Sequence, residues 1–387
     1  MKNVYSDVAC GGMDVHYKFS QVTFRDKAGR VVRRERLEHA SRDRLREQVN
    51  RWPAGLPMVL EASFGWGWLS DVLGEAGLEP HLSNCYKLEQ MRKARGWVKT
   101  NKKDADLLSL LPFETSPWWE VWRAPPQVRD QREQMRFRGD LVALQTMVKN
   151  RIHAIFHRHG IFHDFSDLFG GQGRKFLGEL CLYNATDLSP QALLALRGQV
   201  KLLDHVRRQL ADVERLLHRQ WVTTPLVRRL KTIPGIGLVL AHVLAAEIGM
   251  IERFGHHKAL ASYSLLAPRA EDSGEADSAS TPWGRHLGTR GNRTLKWAFI
   301  EAAHAAVRSG GRWRALFDRV THGGKKDRNR GYIKVARELV KVVYVVWAKG
   351  VDYEPIAPAR PGRQKNRKSS RSGTGQLCHP MVPALPA

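Results

Sequence analysis

Nowhere in the 387 residues does an apolar run approach the ~20 residues that a membrane helix needs. The opening stretch MKNVYSDVACGGMDVHYKF is broken by Asp7, Gly11, Gly12 and Asp14, where a secretory leader would carry an apolar block. Cysteine is scarce: Cys10, Cys85, Cys181 and Cys378 form no C-x-x-C pair, which excludes a disulfide framework and a zinc knuckle and fits a reducing, cytoplasmic or nucleoid setting. Acid is also in short supply. Against 63 Lys and Arg stand 38 Asp and Glu, a formal net charge of +25 with a pI near 10.3. A polyanionic partner is the first expectation. With no membrane segment in view, that partner is nucleic acid rather than lipid.

The length allows two or three domains, each with its own core. From Val4 to Leu37 the pattern reads as one strand, GGMDVHYKFSQVTF, a DKAGR turn, and a second strand, RVVRRERL. Met13, Val15, Tyr17 and Phe19 alternate with polar neighbours at period two. A charged helix (SRDRLREQVNRW) follows, then a buried strand in PMVLEAS that ends in an acid, then a helix in FGWGWLSDVLGEAG closed by glycine. Strands alternating with helices predict an α/β core over residues 1–115.

After a Trp- and Pro-rich loop, residues 116–222 read as long helices. Val128, Phe137, Leu141, Leu144, Val148, Ile152 and Ile155 recur at threes and fours, with Arg129, Arg132, Arg136, Arg138, Lys149 and Arg151 on the other face. A second helix over 190–218 carries Leu193, Leu196, Val200, Leu203, Leu210, Val213 and Leu217 near heptad spacing, the pattern of an antiparallel pair or a dimer seam. A third, mainly helical region covers 223–353. Beyond it, residues 357–387 hold six basic and no acidic residues amid Pro, Gly and Ser, a composition that resists a packed core.

Three acids sit where elements begin or end: Asp14 in the first strand, Glu61 at the end of PMVLE, and Asp104 at the start of a helix. Neighbouring strand ends in an α/β core can bring such acids together, and a hard, oxygen-seeking cation such as Mg²⁺ then offsets their repulsion. Two such ions ~3.5–4 Å apart would clamp a phosphodiester. The plainer reading is equally available from the residues. Asp104 and Asp106 favour a helix N-terminus, with Asn101 as its cap. The histidines His153, His157, His159 and His163 lack an accompanying acid or cysteine and read as flanking a basic surface; Trp66, Trp68, Trp118 and Trp119 read as core or interface residues.

GGMDVH (11–16), VLEAS (59–63) and KTNKKDADLL (99–108), in this order, resemble the acidic motifs of the DEDD transposases, bacterial insertion-sequence recombinases that use a bridge RNA as guide. KNRIHAIFHRHGI (149–161) resembles that family's helical segment, and LKTIPGIGLVLAHVLAAEIGMIERF, LLAPRAEDSGE and GNRTLKWAFIEAA resemble its C-terminal transposase domain.

The resemblance implies an RNase H-like (RuvC-like) nuclease domain, a helical, coiled-coil-like middle, and a mainly α C-terminal domain with a helix-hairpin-helix-like turn at PGIG. It implies two Mg²⁺ ions held by Asp14, Glu61 and Asp104, with the fourth position open between Asn101, which stands where the family has an acid, and Asp106. It also implies a nucleophilic serine in the C-terminal domain, matched here by Ser273. Lys99, Lys102, Lys103, Lys149, Arg151, Gly235 and Gly237 are the expected nucleic-acid contacts. The implied partners are donor and target double-stranded DNA, a structured guide RNA, and further copies of the chain in a dimer or tetramer. A metal-dependent, junction-selective nuclease would need the acids but not the serine. A non-enzymatic nucleic-acid-binding protein would need neither.

Overall fold

The computed structural model describes residues 5–183, 188–268, 287 and 290–354. Ser273 and the basic tail lie outside the described residues. The N-terminal part is built on strands β1 (Cys10–Val15), β2 (Phe19–Arg25), β3 (Val31–Glu38), β4 (Pro57–Glu61), β5 (Glu79–Ser83) and β6 (Glu120–Val121). They form a mixed six-stranded sheet in the order β3-β2-β1-β4-β5-β6. The first three strands are an antiparallel meander, β1, β4 and β5 run parallel, and β6 closes the far edge antiparallel.

Two details differ from the sequence expectation. GGMDVHYKFSQVTF is two strands, since the chain turns at His16–Lys18 and leaves Tyr17 79% exposed. The Trp-rich loop, read as a separator, donates β6.

Helices α1 (Arg42–Val49), α2 (Trp66–Glu75), α3 (Cys85–Ala94) and α4 (Asn101–Leu108) cover the sheet. Alternation along the strands gives each face its own core. Met13, Met58 and Leu60 pack with Leu45, Leu69 and Leu73. Val59 packs on the opposite side with Leu88, Leu107, Leu108 and Leu111.

Helix α4 lies directly on β1 because Gly12 has no side chain: a Cβ there would stand 2.1 Å from the Ser109 amide nitrogen and 2.6 Å from the Ala105 carbonyl oxygen. The helix begins at Thr100, whose hydroxyl accepts from the Lys103 amide at 3.2 Å. Asn101 is therefore the first helical residue and not the cap.

Two long helices follow, α5 (Pro126–Arg158) and α7 (Pro190–Thr223), with α6 (Gly171–Tyr183) between them. Arg138 pairs with Glu214, while Val148 and Ile152 share a core with Leu196 and Leu203, so α5 and α7 pack antiparallel within one chain. Phe137, expected on the apolar face, is 45% exposed, and Met135 enters the core in its place.

The C-terminal part comprises α8 (Pro225–Leu230), α9 (Leu238–Ile248), α10 (His257–Tyr263), α11 (Arg293–Arg308), α12 (Gly311–Thr321) and α13 (Arg328–Lys349). Their core of Leu244, Phe299, Trp313, Leu339 and Val343 also takes in Met135 and Leu217 from the long helices. Among the described residues no helix is long and apolar enough to cross a membrane.

Candidate active site

Met13 of β1 lies beside Leu60 of the parallel β4, so the next residue on each strand, Asp14 and Glu61, emerges at the same end of the sheet. Asp14 follows Gly12 by two positions and Glu61 follows Val59 by two, which sets both on the face covered by α3 and α4. Helix α4 brings Asp104 to this face from above. Glu61 and Asp104 line one cleft of about 530 Å³, together with Tyr86, Glu89 and Arg92 of α3 and with Lys99. Asp14, 8% exposed, is close enough to feel both other acids.

The electrostatics follow from this crowding. Burial pushes the Asp14 carboxyl above its ordinary value; His16, whose Nε2 stands 3.1 Å from the Asp14 carboxylate, pulls the other way, and Asp104 and Glu61 add to the rise. Burial also raises Asp104, opposed by Arg92, whose Nε lies 3.9 Å away, and by Lys99 and His16. The Cys85 thiol is pushed up to about 11 by burial and then by Glu61, so at neutral pH it is a neutral thiol.

The acids thus form an oxygen-rich group with cations at its rim, the donor chemistry of a hard divalent ion rather than zinc. Among the described residues, no three His, Cys, Asp or Glu side chains are gathered closely enough to hold an ion.

Asp106 does not share this cleft. Two residues along a helix differ by ~200° in direction. Its carboxylate accepts from Arg34 Nε at 2.9 Å and Nη2 at 3.0 Å and from the Thr23 hydroxyl at 2.8 Å. These bonds hold it below the usual carboxylate range against the opposing effect of burial. Asp106 therefore ties α4 to β2 and β3, and of the two candidates for the fourth position only Asn101, exposed at the helix start, is free of that tie.

Among the expected nucleic-acid contacts, Lys99, Lys102, Lys103 and Arg151 are exposed. Lys149 has its ammonium 5.3 Å from the Phe169 ring centroid. Gly235 is committed to packing: φ is +88°, and a Cβ would meet the Ala302 carbonyl oxygen at 2.3 Å, so the PGIG turn is pressed onto α11. Gly237 is exposed at the start of α9.

Part of the arginine face of α5 turns toward buried or half-buried acids. Arg129 pairs with Asp71 of α2, and Arg132 and Arg136 converge on Glu247 of α9, which is fully buried. Asn292 donates to Glu247 Oε2 at 2.7 Å. That cluster escaped the sequence reading because an arginine stripe looks the same whether it faces solvent or a buried acid. His16 and Arg92 were also passed over. A histidine two residues after the strand acid was the available signal for the first, and nothing local marks the second.

Among the described residues, Arg290 joins the C-terminal part to the acidic cleft. The Arg290 guanidinium lies 3.2 Å from the ring centroid of Tyr86, on the cleft's rim.

Residues 227–318 match the family described as Transposase IS116/IS110/IS902 family. An insertion element IS110 protein of Streptomyces coelicolor is 30% identical over 157 residues, which span 41% of this chain and 37% of that protein. The transposase for insertion sequence element IS1111A of Coxiella burnetii is 23% identical over 309 residues, 78% of this chain and 79% of the relative. The transposase for IS1328 of Yersinia enterocolitica is 22% identical over 300 residues, 76% and 82%. The C-terminal part thus matches the IS116/IS110/IS902 transposase family model, and the chain as a whole is similar to two insertion-sequence transposases along most of their length.

Proposed function

We propose that the protein is an insertion-sequence transposase that cuts and rejoins DNA, with an RNase H-like nuclease fold at its N-terminus and a serine nucleophile in its C-terminal part. The observation that carries the reading is the placement of Asp14, Glu61 and Asp104 on one face at one end of a mixed sheet, rimmed by Arg92 and Lys99. Asp14, Glu61 and Asp104 would hold Mg²⁺ once their side chains draw together around it, with Asn101 offering a neutral oxygen at the fourth position. When bound, the metal neutralises the carboxylates and polarises the phosphodiester.

The chain's own groups do the rest. Arg92 and Lys99 attract the strand and offset carboxylate charge. Ser273 Oγ attacks the scissile phosphorus, the phosphorus–oxygen bond to the departing deoxyribose breaks, and the serine proton ends on that released hydroxyl. The hydroxyl of a second strand then attacks the phosphoserine, which restores Ser273 and leaves the number of phosphodiesters unchanged.

The Arg290 contact with Tyr86 supports a composite site, since it brings the C-terminal part against the rim of the cleft. The resemblance adds a structured guide RNA that selects donor and target DNA, and an even-numbered assembly of chains.

The test is a covalent protein–DNA adduct, trapped on denaturing gels with a labelled element-end substrate and its guide. The adduct is expected to need both Mg²⁺ and Ser273. An adduct surviving in Ser273→Ala removes the nucleophile, and free cut ends without an adduct replace the transposase by a nuclease.

A further inference from the structure

Beside the acids, at the same end of the sheet, opens a second groove of about 820 Å³. It is framed by the β1–β2 turn with His16, Tyr17 and Lys18, by the start of α1 with Arg42, and by the segment after β4 with Phe64 and Trp68. Its volume lies within the ~300–1,000 Å³ of sites that enclose a small organic group.

Two of its aromatic rings are unusually open: Tyr17 is 79% and Phe64 80% exposed. A single exposed ring is ordinary. Two at the mouth of one groove, with Trp68 in its wall standing edge-on to His39 at 5.2 Å, offer stacking faces to a flat partner. The charge at the rim is basic, from Lys18 and Arg42, and the acidic Glu38 is already paired with Arg36 at 2.6 Å.

His16 joins this groove to the acids, since it lines the groove and reaches Asp14 at 3.1 Å. The residues after Glu61 run directly into Phe64 and Gly65, so the segment that ends at the acid also forms the groove wall. The groove and the acids thus adjoin through His16 and through the segment that runs from Glu61 to Gly65.

We propose that this groove is a stacking subsite for an unpaired deoxynucleotide next to the scissile phosphate. Its base lies on Tyr17 and Phe64, and its backbone is held by Lys18 and Arg42. The proposal rests on the reading of the chain as a DNA-cleaving enzyme and adds how the strand is held open at the cut.

The experiment measures binding of fluorescein-labelled dT12, a 12-base-pair duplex and rU12 by anisotropy, with full-length protein in EDTA so that no cleavage occurs. Both substituted side chains are exposed, so Tyr17→Ala/Phe64→Ala is expected to melt at the wild-type temperature. It is expected to hold dT12 ~10- to 100-fold more weakly, because each lost base–aromatic stack weakens binding severalfold or more, while duplex affinity changes less than twofold.

An unchanged dT12 affinity, or an equal loss for the duplex, overturns the subsite. Tighter binding of rU12 than dT12 by the wild type overturns its assignment to DNA. Failure of the serine adduct together with the expected dT12 loss removes the cleavage reading and leaves the groove as a single-strand site. Adduct formation with no dT12 loss does the reverse.

Discussion

Gly12→Ala is the sharpest test of how the acidic site is assembled. The added methyl would sit 2.1 Å from the Ser109 nitrogen and 2.6 Å from both the Ala105 oxygen and the Leu108 carbonyl carbon. All three are backbone atoms, so no rotamer change relieves the clash, and α4 must retreat from β1 by roughly 1.4 Å to restore ordinary contact distances of ~3.5 Å. The same retreat strips Leu107 and Leu108 from Val59 and carries Asp104 away from Asp14. Overpacking of this kind costs ~3 kcal/mol, and at ~2–4 °C per kcal/mol the N-terminal transition should fall by ~6–12 °C in scanning calorimetry. A 1 Å displacement of a reacting group can cost ~100-fold in rate, so strand cleavage should fall further than stability alone explains. Gly74→Ala is the control. It lies in helix α2, a Cβ there meets nothing within 4 Å, and the substitution should stabilise by up to ~1 kcal/mol. If Gly12→Ala melts and cleaves as the wild type does, α4 is not held against β1 as described.

Two further outcomes follow from the side-chain partners. Glu247→Ala leaves Arg132, 14% exposed, without its carboxylate and frees Asn292, so a loss of ~3 kcal/mol in urea unfolding is expected, while a loss under ~1 kcal/mol would show that the cluster joining α5, α9 and α11 is dispensable. Asp106 is held below its ordinary range in the folded protein, so its contribution is present above the unfolded value near pH ~4 and is lost as pH falls through the depressed folded value. Asp106→Asn should therefore flatten the acid limb of the stability curve and weaken cleavage only in part, through the loosened tie to Arg34, whereas Asp104→Asn should abolish cleavage; abolished cleavage in Asp106→Asn at full stability would return that residue to the site.

How much of this was readable in the chain varied with the distance over which each residue acts. PMVLE announces a buried strand ending in an acid because every residue but the last is apolar, and a five-residue pattern needs no knowledge of its neighbours. The break at His16–Lys18 was hidden because Tyr17 continues the apolar alternation while standing in solvent. The long-helix periodicities were plain, but the alternative between a partner in the same chain and one in another could not be resolved by spacing. Arg138 with Glu214 and Val148 with Leu196 are pairs made by the fold.

The stretch KTNKKDADLL joins both kinds of information. Its composition announces a helix start, and that much is local. Which of its acids meets Asp14 depends on which face of α4 rests on β1, and that is set by Gly12, almost ninety residues earlier, together with Arg34 and Thr23, which claim Asp106 from the β2–β3 side. Once those two anchors fix the rotation of the helix, Asp104 is left facing the cleft with Arg92 and Lys99. A helix start thus serves as a mount whose orientation is decided elsewhere in the chain. The paired test is Arg34→Ala with Gly12 intact: cleavage should weaken through loss of helix orientation while Asp104 remains, and an unchanged rate would mean that Gly12 alone sets the angle.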